Sequence, residues 1–283
     1  MEIIEKAPAK INLGLDVLYK REDGYHELEM VMSSVDLADH LSFERLSENK
    51  IIIETNKAFL PLDHHNNVYQ AASIIKKRYG ISEGIKITIK KNIPVAAGLG
   101  GGSTDCAAAL RGLNRLWKLN LSMEEMIDIG MYIGTDVPYC LYGTTSFITG
   151  KGEIVKTLQP LPACWVILVK PKMSVSTRKI FQQVDTSQIT HPDMKNLMAR
   201  ILNQDYQGML AYMGNSLEDV TIAKYPIVQQ IKSRMMRYGA DVALMSGSGP
   251  TVFALCKKQS RAKRIVNGVK GFCDEVYMVR SLS

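Results

Sequence analysis

The sequence predicts an α+β chain of two domains, a β-rich N-terminal one over residues 1–153 and a C-terminal one over residues 154–283. Three observations carry this. The 283 residues are close to twice the roughly 150 of an ordinary domain. The first 55 residues read as successive strands, and the second half alternates strand-like runs with amphipathic helical stretches. Apolar residues make up 46% and charged residues 22%, which excludes a mainly disordered or fibrous chain.

The elements follow in order. INLGLDVLY (11–19) alternates apolar with small or polar residues, with Pro8 ahead of it, and Asp23-Gly24 is a turn signal; LEMVMSSV (28–35), LSFERL (41–46) and IIIET (51–55) come next at hairpin-like spacing. Asn66-Asn67 caps a helix whose apolar residues Val68, Ala71, Ala72, Ile75 and Tyr79 share a face, and Gly80 ends it. IKITIKK (85–91) alternates as a strand. A glycine loop follows, then an Ala- and Leu-rich helix to Trp117. Ser122 and Glu125 form a capping box for another helix that Gly134 can end. Glycine and proline thicken over Gly143–Pro162, where the domain boundary is placed. Beyond it, CWVILVK, ADVALMS, PTVFALC and EVYMVR read as strands, with Pro226–Tyr238 and Ser260–Val269 as helices.

The formal charge is +7, and all of the excess is C-terminal: residues 1–150 hold 16 Lys+Arg against 19 Asp+Glu, residues 151–283 hold 19 against 9. A basic balance suits nucleic acid, an anionic membrane or a phosphorylated small molecule. The basic residues lack aromatic interleaving or a reader motif, so no nucleic-acid partner is expected. The opening MEIIEKAPAK lacks the apolar stretch of a signal peptide, and the longest apolar run, Ala163 to Val169, is too short to span a bilayer. Five widely spaced cysteines, without a CxxC pair, suggest buried thiols in a reducing cytoplasm, and no membrane partner is expected.

The strongest local signal is Pro94-Val95-Ala96-Ala97-Gly98-Leu99-Gly100-Gly101-Gly102-Ser103-Thr104, between a strand and a helix. Its glycines let backbone amides approach a ligand, and a helix N-terminus offers free amides and about half a positive charge. Such a site attracts phosphate, and the hydroxyls of Ser103 and Thr104 can donate to phosphate oxygens or bind a phosphate-bound Mg²⁺. The loop is not a Walker loop, because Ser103 stands where the lysine should be, and its GxGxxG match fails at the same residue. The protein-kinase motif set is absent as well.

Other candidates are local. Lys10 and Asn12 point to one face of a strand. Asp136 either caps the turn that follows it or serves as an acid that takes a hydroxyl proton, for which a paired lysine is suited. Asp23-Gly24-Tyr25-His26 is a hairpin turn, or a place where Tyr25 and His26 stack on and hydrogen-bond to a planar base. Met245-Ser246-Gly247-Ser248-Gly249-Pro250-Thr251, between two strands, is expected to lie against the first glycine loop.

Together PAKINLGLDV (8–17), DGYH (23–26), PVAAGLGGGSTDCAAAL (94–110), GTDVP (134–138) and SGSGPT (246–251) resemble the GHMP kinase superfamily. PAKINL followed by DGYH resembles the branch acting on a polyol that carries cytidine diphosphate; homoserine, mevalonate and galactose kinases share the loop but not that opening. The resemblance implies a GHMP-kinase N-terminal domain of the ribosomal protein S5 domain 2-like kind, a ferredoxin-like C-terminal domain, and an active site in the cleft. It implies ATP as cosubstrate, with Mg²⁺, and transfer of a phosphoryl group to a small-molecule alcohol. Lys10 and Asp136 match the catalytic pair, residues 94–104 the ATP phosphate loop, and Asn12, Tyr25 and His26 the substrate side. Thr177 matches loosely a substrate-side threonine at a helix start. The resemblance points to no particular metal ligand and to no oligomeric state.

Overall fold

The computed structural model describes residues 3–282. The elements run β1 (Ile3–Lys20), β2 (His26–Leu46), β3 (Ile51–Thr55), α1 (Asn67–Tyr79), β4 (Gly84–Lys90), α2 (Gly101–Trp117), α3 (Met123–Met131), α4 (Val137–Tyr142), β5 (Ser146–Gly150), β6 (Ile154–Thr157), β7 (Trp165–Lys170), α5 (Thr177–Phe181), α6 (Met194–Leu202), α7 (Tyr206–Met209), β8 (Gly214–Asn215), α8 (Leu217–Lys224), α9 (Ile227–Arg237), β9 (Val242–Met245), β10 (Val252–Cys256), α10 (Gln259–Lys270) and β11 (Glu275–Arg280). Packing divides the chain into two units that are not contiguous in sequence. The first holds the segment ending at Ala9, Leu37–Val95 and Gly100–Tyr142; the second holds Lys10–Asp36, Ala96–Leu99 and the chain from Gly143 onward.

In the first unit the C-terminal end of β2 pairs antiparallel with β4, from His40 opposite Lys90 to Leu46 opposite Gly84. Strand β3 pairs parallel with β4, with Ile51 opposite Ile85, and α1 makes the connection that a parallel pair requires. Alternation puts Leu41, Phe43, Ile85, Ile87 and Ile89 in the core. Asn66 caps α1 by accepting from the Val68 amide, and Gly80 ends it in the left-handed conformation. Helix α3 starts at the expected Ser122–Glu125 capping box. Helix α2 packs against α1 and α4, with Cys106, Ala107, Ala108, Ala109, Leu110 and Leu113 fully buried.

Two expectations need correction here. LEMVMSSV and LSFERL belong to one strand of 21 residues, because no glycine or proline interrupts residues 26–46 and Leu37, Ala38 and Asp39 are buried between the two stretches. Pro8 lies inside β1 rather than ahead of it.

In the second unit, β5 pairs antiparallel with the near end of β2, from Leu28 opposite Gly150, and β6 returns on β5. The glycine- and proline-rich stretch around the expected boundary thus contains a hairpin. Strand β8 pairs parallel with β1, Gly14 opposite Gly214. A separate sheet in the order β11-β7-β10-β9 is antiparallel throughout. With α9 and α10 it follows the β-α-β-β-α-β sequence of a ferredoxin-like layer, with α5–α8 and β8 inserted after its first strand. All five cysteines are free and buried. Among the described residues no helix is long and apolar enough to cross a membrane.

Candidate active site

The loop from Pro94 to Gly100 joins β4 to α2. Gly100 is the N-cap of α2, left-handed at φ 69°, and no side chain caps the helix, so the first-turn amides stay available to a ligand. Pro94, Ala97 and Leu99 are buried, Val95 and Gly98 half-buried, and Ala96 exposed with φ 51°. In the first turn of α2, Gly101 and Ser103 are half-buried, Gly102 is exposed and Thr104 is buried, its amide donating to the Gly100 carbonyl at 2.9 Å. The bend at Gly98 has φ 74°, and a Cβ there would stand 2.2 Å from the Ser246 carbonyl oxygen. Only glycine fits both the dihedral and the approach.

That approach brings the second glycine loop against the first, as the sequence led one to expect. Ser246 Oγ donates to the Gly98 carbonyl at 2.9 Å. Lys10 joins the same group: its amide donates to the Leu99 carbonyl at 3.0 Å, its Nζ donates to Asn12 Oδ1 at 2.8 Å, and a Cβ on Gly247 would lie 3.5 Å from that Nζ. Lys10 and Asn12 are both buried and, two residues apart on β1, face the same side. Asn215 was not singled out in the sequence, yet its Nδ2 donates to the Met245 and Gly247 carbonyls, each at 2.8 Å, and fixes the second loop.

Thr177 opens α5 and exchanges a 2.7 Å hydrogen bond with Ser248 Oγ. At the other end of α5 the Phe181 ring lies 5.4 Å from that of His26. This short helix therefore links the second glycine loop to the 23–26 turn, and Phe181 is a site neighbour that sequence reasoning missed. Burial, and then Lys20, hold the His26 imidazole below its ordinary pKa, so it is neutral at pH 7. Tyr25 is 52% exposed, in a turn closed by its amide donating to Asp23 Oδ1, and Lys151 Nζ sits 4.9 Å over its ring.

Asp136 is half-buried at the start of α4, where its carbonyl accepts from the Cys140 amide at 3.1 Å. A Cβ on Gly134 would come within 3.7 Å of Ser103 Oγ, so the turn carrying Asp136 adjoins the first turn of α2. Asp136 belongs to the first unit and Lys10 to the second.

The first unit also contains a buried cluster with no local sequence signal. Lys91 Nζ donates to Asp39 Oδ2 and, at 2.7 Å, to Asp105 Oδ2. Burial alone would lower the Lys91 pKa, and the two carboxylates outweigh it and raise it. Burial raises the Asp105 carboxyl, opposed by Lys91 and reinforced by Asp39.

A glycine loop on an uncapped helix, with hydroxyls in the first helical turn, is an arrangement that can hold a phosphate group. The chain belongs to the GHMP kinase family: the GHMP kinases N terminal domain matches residues 66–144 and the GHMP kinases C terminal domain matches residues 194–275. Over 282 residues it is 62% identical to the 4-diphosphocytidyl-2-C-methyl-D-erythritol kinase of Enterococcus faecalis, with 100% of each chain covered. A crystal structure of 4-(cytidine 5'-diphospho)-2C-methyl-D-erythritol kinase is similar with TM-score 0.84 and 30% identity, again covering 100% of both chains. Homoserine kinase from Cytophaga hutchinsonii, at TM-score 0.79 and 22% identity over 98% of this chain and 94% of its own, shares the fold. The expected α+β fold and kinase class are borne out.

Proposed function

We propose that this protein transfers the γ-phosphoryl group of ATP to the 2-hydroxyl of 4-diphosphocytidyl-2-C-methyl-D-erythritol, a step of the non-mevalonate route to isoprenoid precursors. The observation that carries the reading is full-length 62% identity to a kinase of that name. It is supported by the juxtaposition of the two glycine loops with Lys10 and Asn12. Domains 1–153 and 154–283 are the proposed division, and the family matches at 66–144 and 194–275 fall on either side of it.

The roles follow from the chemistry. Phosphoryl transfer needs positioning and charge stabilisation more than covalent work. Residues 94–104 cradle the ATP phosphates with the α2 amides. Asp136 accepts or orients the proton of the attacking hydroxyl, and Lys10, held by Asn12, stabilises developing negative charge. On the substrate side, Asn12, Tyr25, His26 and Thr177 hold the cytidine end and the polyol. Neutral His26 can both donate and accept toward a base.

The donor set near the α2 N-terminus is hydroxyl and carboxylate oxygen, which suits Mg²⁺. Among the described residues the one group of three metal-capable side chains is exposed Asp63, His64 and His65, and it includes no loop residue. That fits an ion carried chiefly by substrate phosphates, with the Ser103 hydroxyl holding it on the protein side. When bound, Mg²⁺ neutralises phosphate charge. The same reading places the chain in the cytoplasm, where its five free thiols stay reduced.

A coupled ADP-release assay against diphosphocytidyl methylerythritol, homoserine and mevalonate tests the assignment. Turnover is expected with the first alone. Equal turnover with an alcohol lacking cytidine would remove the base-binding roles of Tyr25 and His26.

A further inference from the structure

Asp39 lies at the centre of β2, is fully buried, and its two carboxylate oxygens serve different parts of the chain. Oδ1 accepts the backbone amides of Asn92 and, at 2.9 Å, Ile93, the residues that lead from β4 into Pro94. Oδ2 accepts from Lys91 Nζ, and that same ammonium donates to Asp105 Oδ2 at 2.7 Å and reaches the Gly101 carbonyl at 3.5 Å, both on the helix that leaves the loop. The Asn92 side chain adds a 2.7 Å bond to the Ala38 carbonyl, next to Asp39. The Ile93 side chain stands 3.3 Å from where a Gly101 Cβ would be. Chain entering the loop and chain leaving it are thus tied to one carboxylate.

We propose that Asp39 is a positioning residue that fixes the two ends of the phosphate loop relative to each other and so aims the α2 amides at ATP. The proposal rests on the kinase reading above and assigns a function to a residue that is fully buried among protein partners. An unpaired donor in this buried cluster would force the lysine, and the helix end it holds, to move. Displacements of that size matter, since about 1 Å of misplacement can cost about 100-fold in rate.

The test is Asp39→Asn. Asparagine keeps an oxygen for the two amides but turns an NH₂ toward the Lys91 ammonium, donor against donor. Folding is checked by far-UV circular dichroism and thermal unfolding. In the folded variant KM for ATP should rise about 10-fold or more, with KM for the alcohol within about twofold of wild type. A purely structural role would lower stability and active fraction without splitting the two KM values. Asp39→Ser, which keeps a hydroxyl acceptor but no charge, is run alongside and should show the same split. If KM for ATP is unchanged in either folded variant, or if neither variant folds, Asp39 serves the fold alone and the proposal fails. Direct calorimetry of ATP on the wild-type protein separates the two levels. Absence of ATP binding there would overturn the kinase reading and the proposal with it, whereas ATP binding without the KM split overturns the proposal alone.

Discussion

Replacing Gly98 by alanine adds one methyl group where the backbone has φ 74° and where that methyl would stand 2.2 Å from the Ser246 carbonyl oxygen and 3.1 Å from the Gly249 carbonyl oxygen. Two costs are expected. An L-residue held left-handed loses about 1–2 kcal/mol. Relieving a backbone clash of this depth requires one loop to withdraw, at about 1–3 kcal/mol. The sum, about 2–5 kcal/mol, should lower Tm by about 4–20 °C in a chain of this size. Withdrawal also breaks the bond from Ser246 Oγ to the Gly98 carbonyl, so KM for ATP should rise together with the loss of stability. Gly102→Ala is the control: Gly102 has no positive φ, and its nearest neighbour, at 3.1 Å, is the flexible end of the Asn67 side chain. Its stability should change by less than about 1 kcal/mol. Differential scanning calorimetry and ADP release on both variants decide the matter. Gly98→Ala with Tm within about 1 °C of wild type and unchanged KM for ATP would refute the argument that the two loops interlock at this glycine.

Two further predictions concern titratable groups. Asp136→Asn should keep ATP affinity, measured by calorimetry, and lose turnover by about 1000-fold or more, because an amide cannot take the hydroxyl proton; near-normal turnover would remove Asp136 from the chemistry. His191 has both ring nitrogens against acceptors, Asp16 Oδ1 at 2.7 Å and the Thr186 carbonyl at 2.9 Å; that carbonyl, then Asp16, raise its pKa above 6.5 against the effect of burial. Its contribution is therefore full below the unfolded pKa and lost as pH rises through the folded one, so the Tm gap between wild type and His191→Asn should be widest near about pH 6 and close toward about pH 9; a gap that widens with pH would contradict the doubly donating imidazolium.

What the sequence disclosed and what it withheld divide along the range of the interactions involved. The Asn66 cap, the Ser122–Glu125 box and the Gly80 stop involve residues within a few positions of one another, and each was legible. The glycine loop announced itself because its unusual composition is local too. Helices α6–α8, of four to nine residues, were missed, being too short to fill the window over which periodicity is read, and α5 was reached only through the resemblance that put Thr177 at a helix start. So was the continuity of β2, since the middle of that strand is set by burial and by bonds to the chain at Asn92 and Ile93. The Asp39–Lys91 pair is separated by 52 positions and Asn215 acts on Met245 and Gly247 from 30 and 32 positions away. Nothing in the neighbourhood of those residues distinguishes them from ordinary surface polar groups.

The charge of the chain illustrates the same division. Its excess of +7 invites an account in which bulk positive potential draws in phosphates, yet residues 1–150, which hold the proposed phosphate loop, carry more acids than bases. Lys91, whose Nζ would lie 3.4 Å from a Cβ on Gly101, has its charge matched by Asp39 and Asp105. It acts on the loop as a tie rather than as a counter-charge. In the proposed site what would attract phosphate is then the row of first-turn amides on α2, left uncapped by Gly100, the partial charge of the helix end and the Lys10 ammonium beside the two glycine loops. Amides attract only when aimed, because a dipole's effect falls off with distance and angle faster than that of a full charge. On the proposed reading that aim would depend on the turns at Gly98 and Gly100 and on the carboxylate of Asp39, and phosphate recognition would rest on buried packing more than on surface charge.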